Sequence, residues 1–300
     1  GSRLHRRAHA GAAARAVNAG AVKIAQLLLL IAAAHAAVDA EEHEQHHAHA
    51  DYVHQHREHE HANFHATPMA PTAPATLHTV FTSECHNPQF DWFATGVYRS
   101  HRESGIRGRI TRLLACGADD LAQYRGLGLG PTFVHPNYRH NPLNGDTSAS
   151  YNKPGSVMHF SREANFTEEY VLFIDADMLL VRDIDPVALG ARRGVVVSER
   201  VSYMIGTSNA MAANFLPPDR VALAKPVGWY HIFHRDDLKR IAPLWLEFCG
   251  KVRTNPQLYW SMNGSIPRDI PTGDAYVHHG EAPWISEMYG YAFGAAMAGV

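Results

Sequence analysis

Tyr170-Val171-Leu172-Phe173-Ile174 runs without a break into Asp175-Ala176-Asp177-Met178. Five apolar residues, rich in β-branched and aromatic types, read as a strand covered on both faces, the kind a parallel sheet contains. In open α/β sheets ligands lie outside the carboxyl ends of the strands. The two carboxylates therefore leave the core where a ligand would sit. A pair spaced in this way can hold a hard divalent cation that keeps positions for water and phosphate oxygens. Asp also favours turns and helix N-caps. The pattern by itself leaves both uses open.

The rest of the chain narrows the choice. Its 300 residues, 46% apolar, suffice for one sizeable domain or two small ones. The formal net charge of -2 argues against a nucleic-acid binder that works by neutralising phosphates. Cys85, Cys116 and Cys249 are too widely spaced for a zinc cluster and too few for a disulfide scaffold.

Three regions are expected. In residues 1–38, Arg3, Arg6, Arg7, Arg15 and Lys23 precede an apolar run from Ile24 to Ala34. That run is short for a bilayer span, which takes about 20 residues. It fits a signal peptide, with a signal anchor as the alternative, and so membrane association through the N-terminus. Residues 39–75 hold nine of the 22 histidines, between His43 and His65, followed by a Pro-rich stretch. Such a tract can bind transition metals, but it has little to bury and reads as a solvated linker. Residues 76–300 form the globular part. The sequons Asn165-Phe166-Thr167 and Asn263-Gly264-Ser265 agree with a secretory setting.

Within the globular part, strands are expected at Leu77–Thr82, Gly108–Cys116, 170–177 and Gly194–Ser198. Helices are expected at Phe90–Ser104, Asp119–Tyr124, Ser156–Glu163, after Pro186, and at Asp236–Val252, where Pro243 should kink or split the element. Thr132–Tyr151 is rich in Pro, Asn and Gly and reads as loop. Strands alternating with helices argue for an α/β domain with a mainly parallel sheet.

Several segments carry a resemblance. They are Phe81-Thr82-Ser83-Glu84-Cys85, Phe90-Asp91-Trp92, Arg112-Leu113-Leu114-Ala115-Cys116, Asn152-Lys153-Pro154, Ile174-Asp175-Ala176-Asp177-Met178, Ala242-Pro243-Leu244-Trp245-Leu246, Thr272-Gly273-Asp274 and Trp284-Ile285-Ser286-Glu287-Met288-Tyr289-Gly290-Tyr291. Over about Leu77 to Ala296 the chain resembles the plant and algal peptidyl serine α-galactosyltransferases, relatives of the hydroxyproline O-arabinosyltransferases. The resemblance implies a GT-A-like fold, a UDP-sugar donor, a divalent cation (usually Mn2+), and retention of anomeric configuration. It also implies a serine acceptor in hydroxyproline-rich, extensin-type glycoproteins of the secretory pathway, in the lumen of the ER or Golgi. Family members continue past the point matching Val300 and include a late histidine near a His-Tyr-Gly sequence. The chain is therefore expected to be C-terminally truncated, lacking that ligand and any membrane-associated C-terminal segment. The His278-His279-Gly280-Glu281-Ala282 insertion is longer than the family pattern.

The resemblance suggests roles. Asp175 and Asp177 would hold the metal, with Asp175 also near the ribose. Thr82, at the end of the first strand, would lie by the uridine or simply cap. Arg112 would stack on uracil or pair with phosphate, or form a surface salt bridge. Asn152 and Lys153 would bind the nucleotide sugar, with Lys153 neutralising phosphate as a point charge, unless they are solvated loop. Asp274 would bind a sugar hydroxyl. Glu287, among Trp284, Tyr289 and Tyr291, would stand near the reaction centre, or be an acid at a helix N-terminus. Trp284 and the two tyrosines would form an aromatic wall or core. Cys85 and Cys116 can pair in an oxidising lumen, while Cys249 reads as a buried small hydrophobe.

Three functions compete. One is serine galactosyl transfer from UDP-galactose. Another is hydroxyproline arabinosyl transfer from UDP-arabinofuranose. The third is a non-catalytic secreted metal- or sugar-binding protein whose His tract does the binding.

Overall fold

The computed structural model describes residues 76–208, 210–261 and 272–300. The signal or anchor segment, the linker and the Asn263 sequon lie outside the described residues. Asn165 is exposed in the loop before the 170s strand.

One six-stranded sheet organises these residues. Its strands are β1 (Leu77–Glu84), β2 (Arg109–Ala115), β3 (Thr132–His135), β4 (Tyr170–Ile174), β5 (Val197–Arg200) and β6 (Val227–His234). The spatial order is β3-β2-β1-β4-β6-β5. The first four run parallel, and β6 is antiparallel to both β4 and β5. Each of β1's eight residues is buried, as a central strand with both faces covered requires. The α/β class with a mainly parallel sheet is as the sequence predicts.

The helices are α1 (Gln89–Ser104), α2 (Ala118–Gln123), α3 (Asn152–Glu163), α4 (Pro218–Val221), α5 (Arg235–Thr254), α6 (Pro256–Tyr259) and α7 (Ser286–Ala298). Alternation along the strands divides the core. Val80, Leu113, Val171, Phe173 and Phe233 face α3 and α5, packing on Phe160, Ile241 and Trp245. Leu77, Phe81, Leu172 and Ile174 face the opposite way, against Ala94 and Val97 of α1. Burying an aliphatic or aromatic side chain of this size contributes about 1.5–3 kcal/mol.

α7 is buried on nearly all sides. It can lie against α5 because Gly290 and Gly294 face that helix. A Cβ at Gly290 would stand 2.6 Å from the Cys249 backbone nitrogen, and one at Gly294 2.8 Å from that of Trp245. The four-residue spacing puts both on one face. This close seat fixes where the first turn of α7 points.

Four expectations are corrected. Thr132–His135 is strand, because its β-branched and aromatic residues pair with β2 at the sheet edge. After Pro186 the chain makes turns, not a helix. Asp185 Oδ1 accepts the Val187 and Ala188 N–H groups, and the turn ends at Gly190. α5 runs unbroken through Pro243. The 170s strand stops at Ile174, so both acids lie in the turn that follows it. β6 had no sequence signal strong enough to assign, with Gly228 and two histidines interrupting its apolar pattern. No helix among the described residues is long and apolar enough to cross a membrane.

Candidate active site

The carboxyl ends of β1 and β4 open into a cavity of about 460 Å³. Thr82, Ser83 and Glu84 supply one wall and Asp175, Ala176 and Asp177 another. Ser150, Asn152 and Lys153 enter from the start of α3, and Trp284 and Glu287 from the start of α7. The cavity lies where parallel strands leave the core, between β1 and β4, whose connections diverge to opposite sides.

An ionic cluster forms part of the wall. Lys153 Nζ stands 2.9 Å from Asp175 Oδ1 and 3.4 Å from Glu287 Oε1. The contact with Glu287 is a hydrogen bond. The one with Asp175 is an ion pair that falls short of hydrogen-bond geometry, leaving Oδ1 buried without a hydrogen-bond donor. Burial pulls the Lys153 ammonium down, but the two carboxylates outweigh it and hold its pKa above the ordinary value. Burial pushes the Glu287 carboxyl up, the Lys153 charge opposes this, and the Asp175 charge adds to it. Trp245 Nε1 donates to the Glu287 carbonyl at 2.7 Å, fastening the turn to α5.

Asp177 is different. Its side chain is exposed and makes no hydrogen bond or ion pair with the described residues. A hard cation needs oxygen donors and tolerates open positions. Asp177, with an unengaged carboxylate, fits that requirement, and Asp175 stands two residues away with a carboxylate whose Oδ1 is ion-paired with Lys153. Among the described residues no third His, Cys, Asp or Glu joins them. The one trio among the described residues close enough to share an ion is Cys85, His86 and Asp120. Cys85 is bridged to Cys116 and offers no thiolate.

The remaining residues proposed from sequence separate into two groups. Thr82, Asn152, Lys153, Asp175, Asp177, Trp284 and Glu287 all line the cavity. Trp284 is 54% exposed there, while Tyr289 and Tyr291 are core. Lys153 sits in the first turn of α3, not in a solvated loop. The side chain of Asn152 is engaged by the Tyr138 N–H at 2.6 Å and by Asn137 Oδ1 at 3.1 Å. Glu287 is both an acid in a helix first turn and a member of the cluster.

Arg112 and Asp274 do not line the cavity. Arg112 is fully buried. It donates to Asp91 Oδ1 at 3.1 Å, Tyr124 Oη at 2.9 Å, the Gly126 carbonyl at 2.8 Å, and Thr132 Oγ1 at 3.1 Å and 3.2 Å. Asp274 Oδ2 accepts the Trp284 and Ile285 N–H groups at 2.7 Å and 3.2 Å. It thereby satisfies donors at the start of α7 and holds Trp284 at the cavity.

Sequence reasoning missed Ser83, Glu84 and Arg139. Ser83 and Glu84 could have been found by extending the rule for strand ends two residues past Thr82. Glu84 Oε2 lies 3.2 Å from His86 Nε2 and 3.5 Å from Arg139 Nη2. Arg139 comes from an irregular segment, where no periodicity marks it.

Residues 77–263 match the profile of the hydroxyproline O-arabinosyltransferase family N-terminal domain. The chain is 40% identical over 220 residues to peptidyl serine alpha-galactosyltransferase of Arabidopsis thaliana, covering 73% of this chain and 26% of that protein. It is 36% identical over 233 residues to the protein of that name in Chlamydomonas reinhardtii, covering 73% and 30%. The chain thus spans well under half the length of either curated relative. Among solved structures, galactosyltransferase LgtC in complex with donor and acceptor sugar analogues aligns with a TM-score of 0.38 and 15% identity. That alignment covers 64% of this chain and 69% of the other.

Proposed function

The chain belongs to the hydroxyproline O-arabinosyltransferase family, and on that premise we propose that it carries the donor site of a retaining galactosyltransferase. The donor is UDP-galactose, and the acceptor is a serine hydroxyl in a hydroxyproline-rich protein of the secretory pathway. The observation that carries this reading is the Lys153–Asp175–Glu287 cluster, held at the carboxyl edge of the sheet beside an unengaged Asp177. The names of the two relatives support galactose and serine over a pentose and hydroxyproline. The Cys85–Cys116 bridge and the exposed Asn165 sequon support an oxidising lumen.

Transfer breaks the bond between the anomeric carbon and the β-phosphate, forms one to the serine oxygen, and releases the hydroxyl proton. Lys153 supplies a positive point charge for phosphate oxygens. A divalent cation such as Mn2+, held by Asp175 and Asp177, would supply further neutralisation of the diphosphate leaving group. Glu287, whose carboxyl burial pushes above its ordinary pKa, is the carboxylate placed to receive the hydroxyl proton. Trp284 offers an apolar face beside the sugar. Thr82, on the β1 side, lies toward the nucleoside.

The test is a donor screen with a serine-hydroxyproline peptide in Mn2+, read by mass spectrometry, alongside calorimetric UDP binding by this chain. One hexose on serine supports the proposal. A pentose on hydroxyproline would move the chain to the sister activity. Failure to bind UDP at all would overturn the donor-site reading.

A further inference from the structure

Trp229 stands on the other side of the ionic cluster from β1. It belongs to β6, which flanks β4 opposite β1, and its carbonyl accepts the Asp175 N–H at 3.0 Å. Between the pairs Ser198–His231 and Glu199–Gly228 the β5–β6 register slips, leaving Trp229 and Tyr230 without partners on β5. Irregularities of this kind re-aim side chains. Trp229 has φ 65°, alone among the described non-glycine residues in the left-handed region. That conformation is unusual for a bulky side chain and collects at functional sites.

The ring is only half buried in return. It is 45% exposed, and its indole N–H donates to Tyr203 Oη at 3.1 Å, which fixes its orientation. A small recess beneath it has Lys153, Asp175 and Glu287 in its walls. A strained, oriented, half-exposed tryptophan thus borders the groups assigned to the donor.

We propose that Trp229 is the docking ring for the acceptor chain, taking the pyrrolidine ring of a proline or hydroxyproline residue on its indole face. This deepens the acceptor reading above and rests on it. An imino-acid-rich chain is already extended as a polyproline II helix, so docking on an aromatic face orders little. Tyr203 holds the indole in place, which lowers the cost of binding further. With the donor on the β1 side and the peptide on the β6 side, the two substrates converge on the cluster from opposite flanks, as bond formation requires.

The experiment measures UDP affinity, and then affinity for a serine-hydroxyproline peptide at saturating UDP and Mn2+, for the full chain and its Trp229→Gly and Trp229→Tyr variants. Glycine accepts the left-handed backbone and keeps the carbonyl that holds Asp175, so the variant should fold cooperatively, with a melting temperature lowered by no more than the loss of a half-buried ring and its hydrogen bond to Tyr203 costs. Peptide affinity should fall about tenfold or more in Trp229→Gly and stay within about threefold in Trp229→Tyr. UDP affinity should be unchanged in both. Retained peptide affinity in the glycine variant, or equal loss of UDP and peptide binding, overturns the docking role. A parent chain that binds UDP but no peptide overturns it while leaving the donor site intact. A parent chain that binds no UDP removes the donor-site reading and this inference with it.

Discussion

Lys153 Nζ lies 2.9 Å from Asp175 Oδ1, joining the first turn of α3 to the residue that follows β4. Glu287 approaches the same ammonium at 3.4 Å from α7. One cation therefore holds together three elements that arrive from different parts of the chain, and keeps two half-buried acids from facing each other unneutralised.

Lys153→Met should be costly for both stability and binding. All three groups keep some solvent, so the expected loss is about 3 kcal/mol, at the low end for breaking a buried pair. UDP affinity should drop about tenfold or more, because a charged donor to phosphate is gone. Urea titration and calorimetry would check the two effects. An unchanged UDP affinity would remove Lys153 from the phosphate site.

Arg112→Met should unfold the protein more readily without a specific effect on the donor. Its guanidinium has every N–H engaged, and deletion leaves the buried Gly126 carbonyl without its donor and half-buried Asp91 without its counter-charge. Because Asp91 keeps solvent, the expected cost is about 3 kcal/mol, at the low end for breaking a buried pair. If the folded fraction lost UDP binding while stability held, Arg112 would belong to the site after all.

These two basic residues show how far the sequence could be read. The 170s run announced a buried strand because nothing interrupts its apolar residues, and the acids after it follow from strand-end chemistry alone. Lys153 and Arg112 look alike in one dimension, each a lone cation in a motif. They were separated only by packing: Arg112 sits on a strand with polar partners on Tyr124, Gly126 and Thr132, while Lys153 opens a helix into a cavity. β6 was invisible because Gly228 and its histidines break the alternation, and β3 because Pro131 and Pro136 bracket four residues. The role of Asp274 in seating Trp284 depends on a contact ten residues away, which no local pattern encodes.

Acid should weaken the fold through His78 and His135. Burial lowers both to about 4 from 6.5. Glu168 partly opposes the shift at His78 and the Pro136 carbonyl at His135, while the His159 charge adds to the latter. Between those values the unfolded chain binds more protons than the folded one, so their contribution is complete above pH 6.5 and is lost as pH falls toward 4. Each contributes about 3 kcal/mol at most. Denaturation midpoints measured from pH 7.5 to 4.5 should fall steadily, and His135→Gln should flatten the slope. A level profile for the parent chain would show that these rings are not buried as neutral species.

The metal assignment turns on the contrast between Asp175 and Asp177. Asp175 is tied to Lys153, and its backbone to Trp229. Asp177 is exposed and engages no described residue. A carboxylate of that kind can be changed at little structural cost, so Asp177→Asn should alter stability by no more than about 0.5 kcal/mol. If Asp177 serves as a cation ligand, the same substitution should weaken Mn2+ binding in the presence of UDP by about tenfold or more. Electron paramagnetic resonance of free Mn2+ measures this directly, without any need for turnover. Asp175→Asn should lose Mn2+ too, but with a drop in melting temperature, because Lys153 keeps only the more distant Glu287 as a counter-charge. Parent-like Mn2+ binding by both variants would leave the pair as a turn between β4 and the chain that follows, and would move the search for a cation site elsewhere.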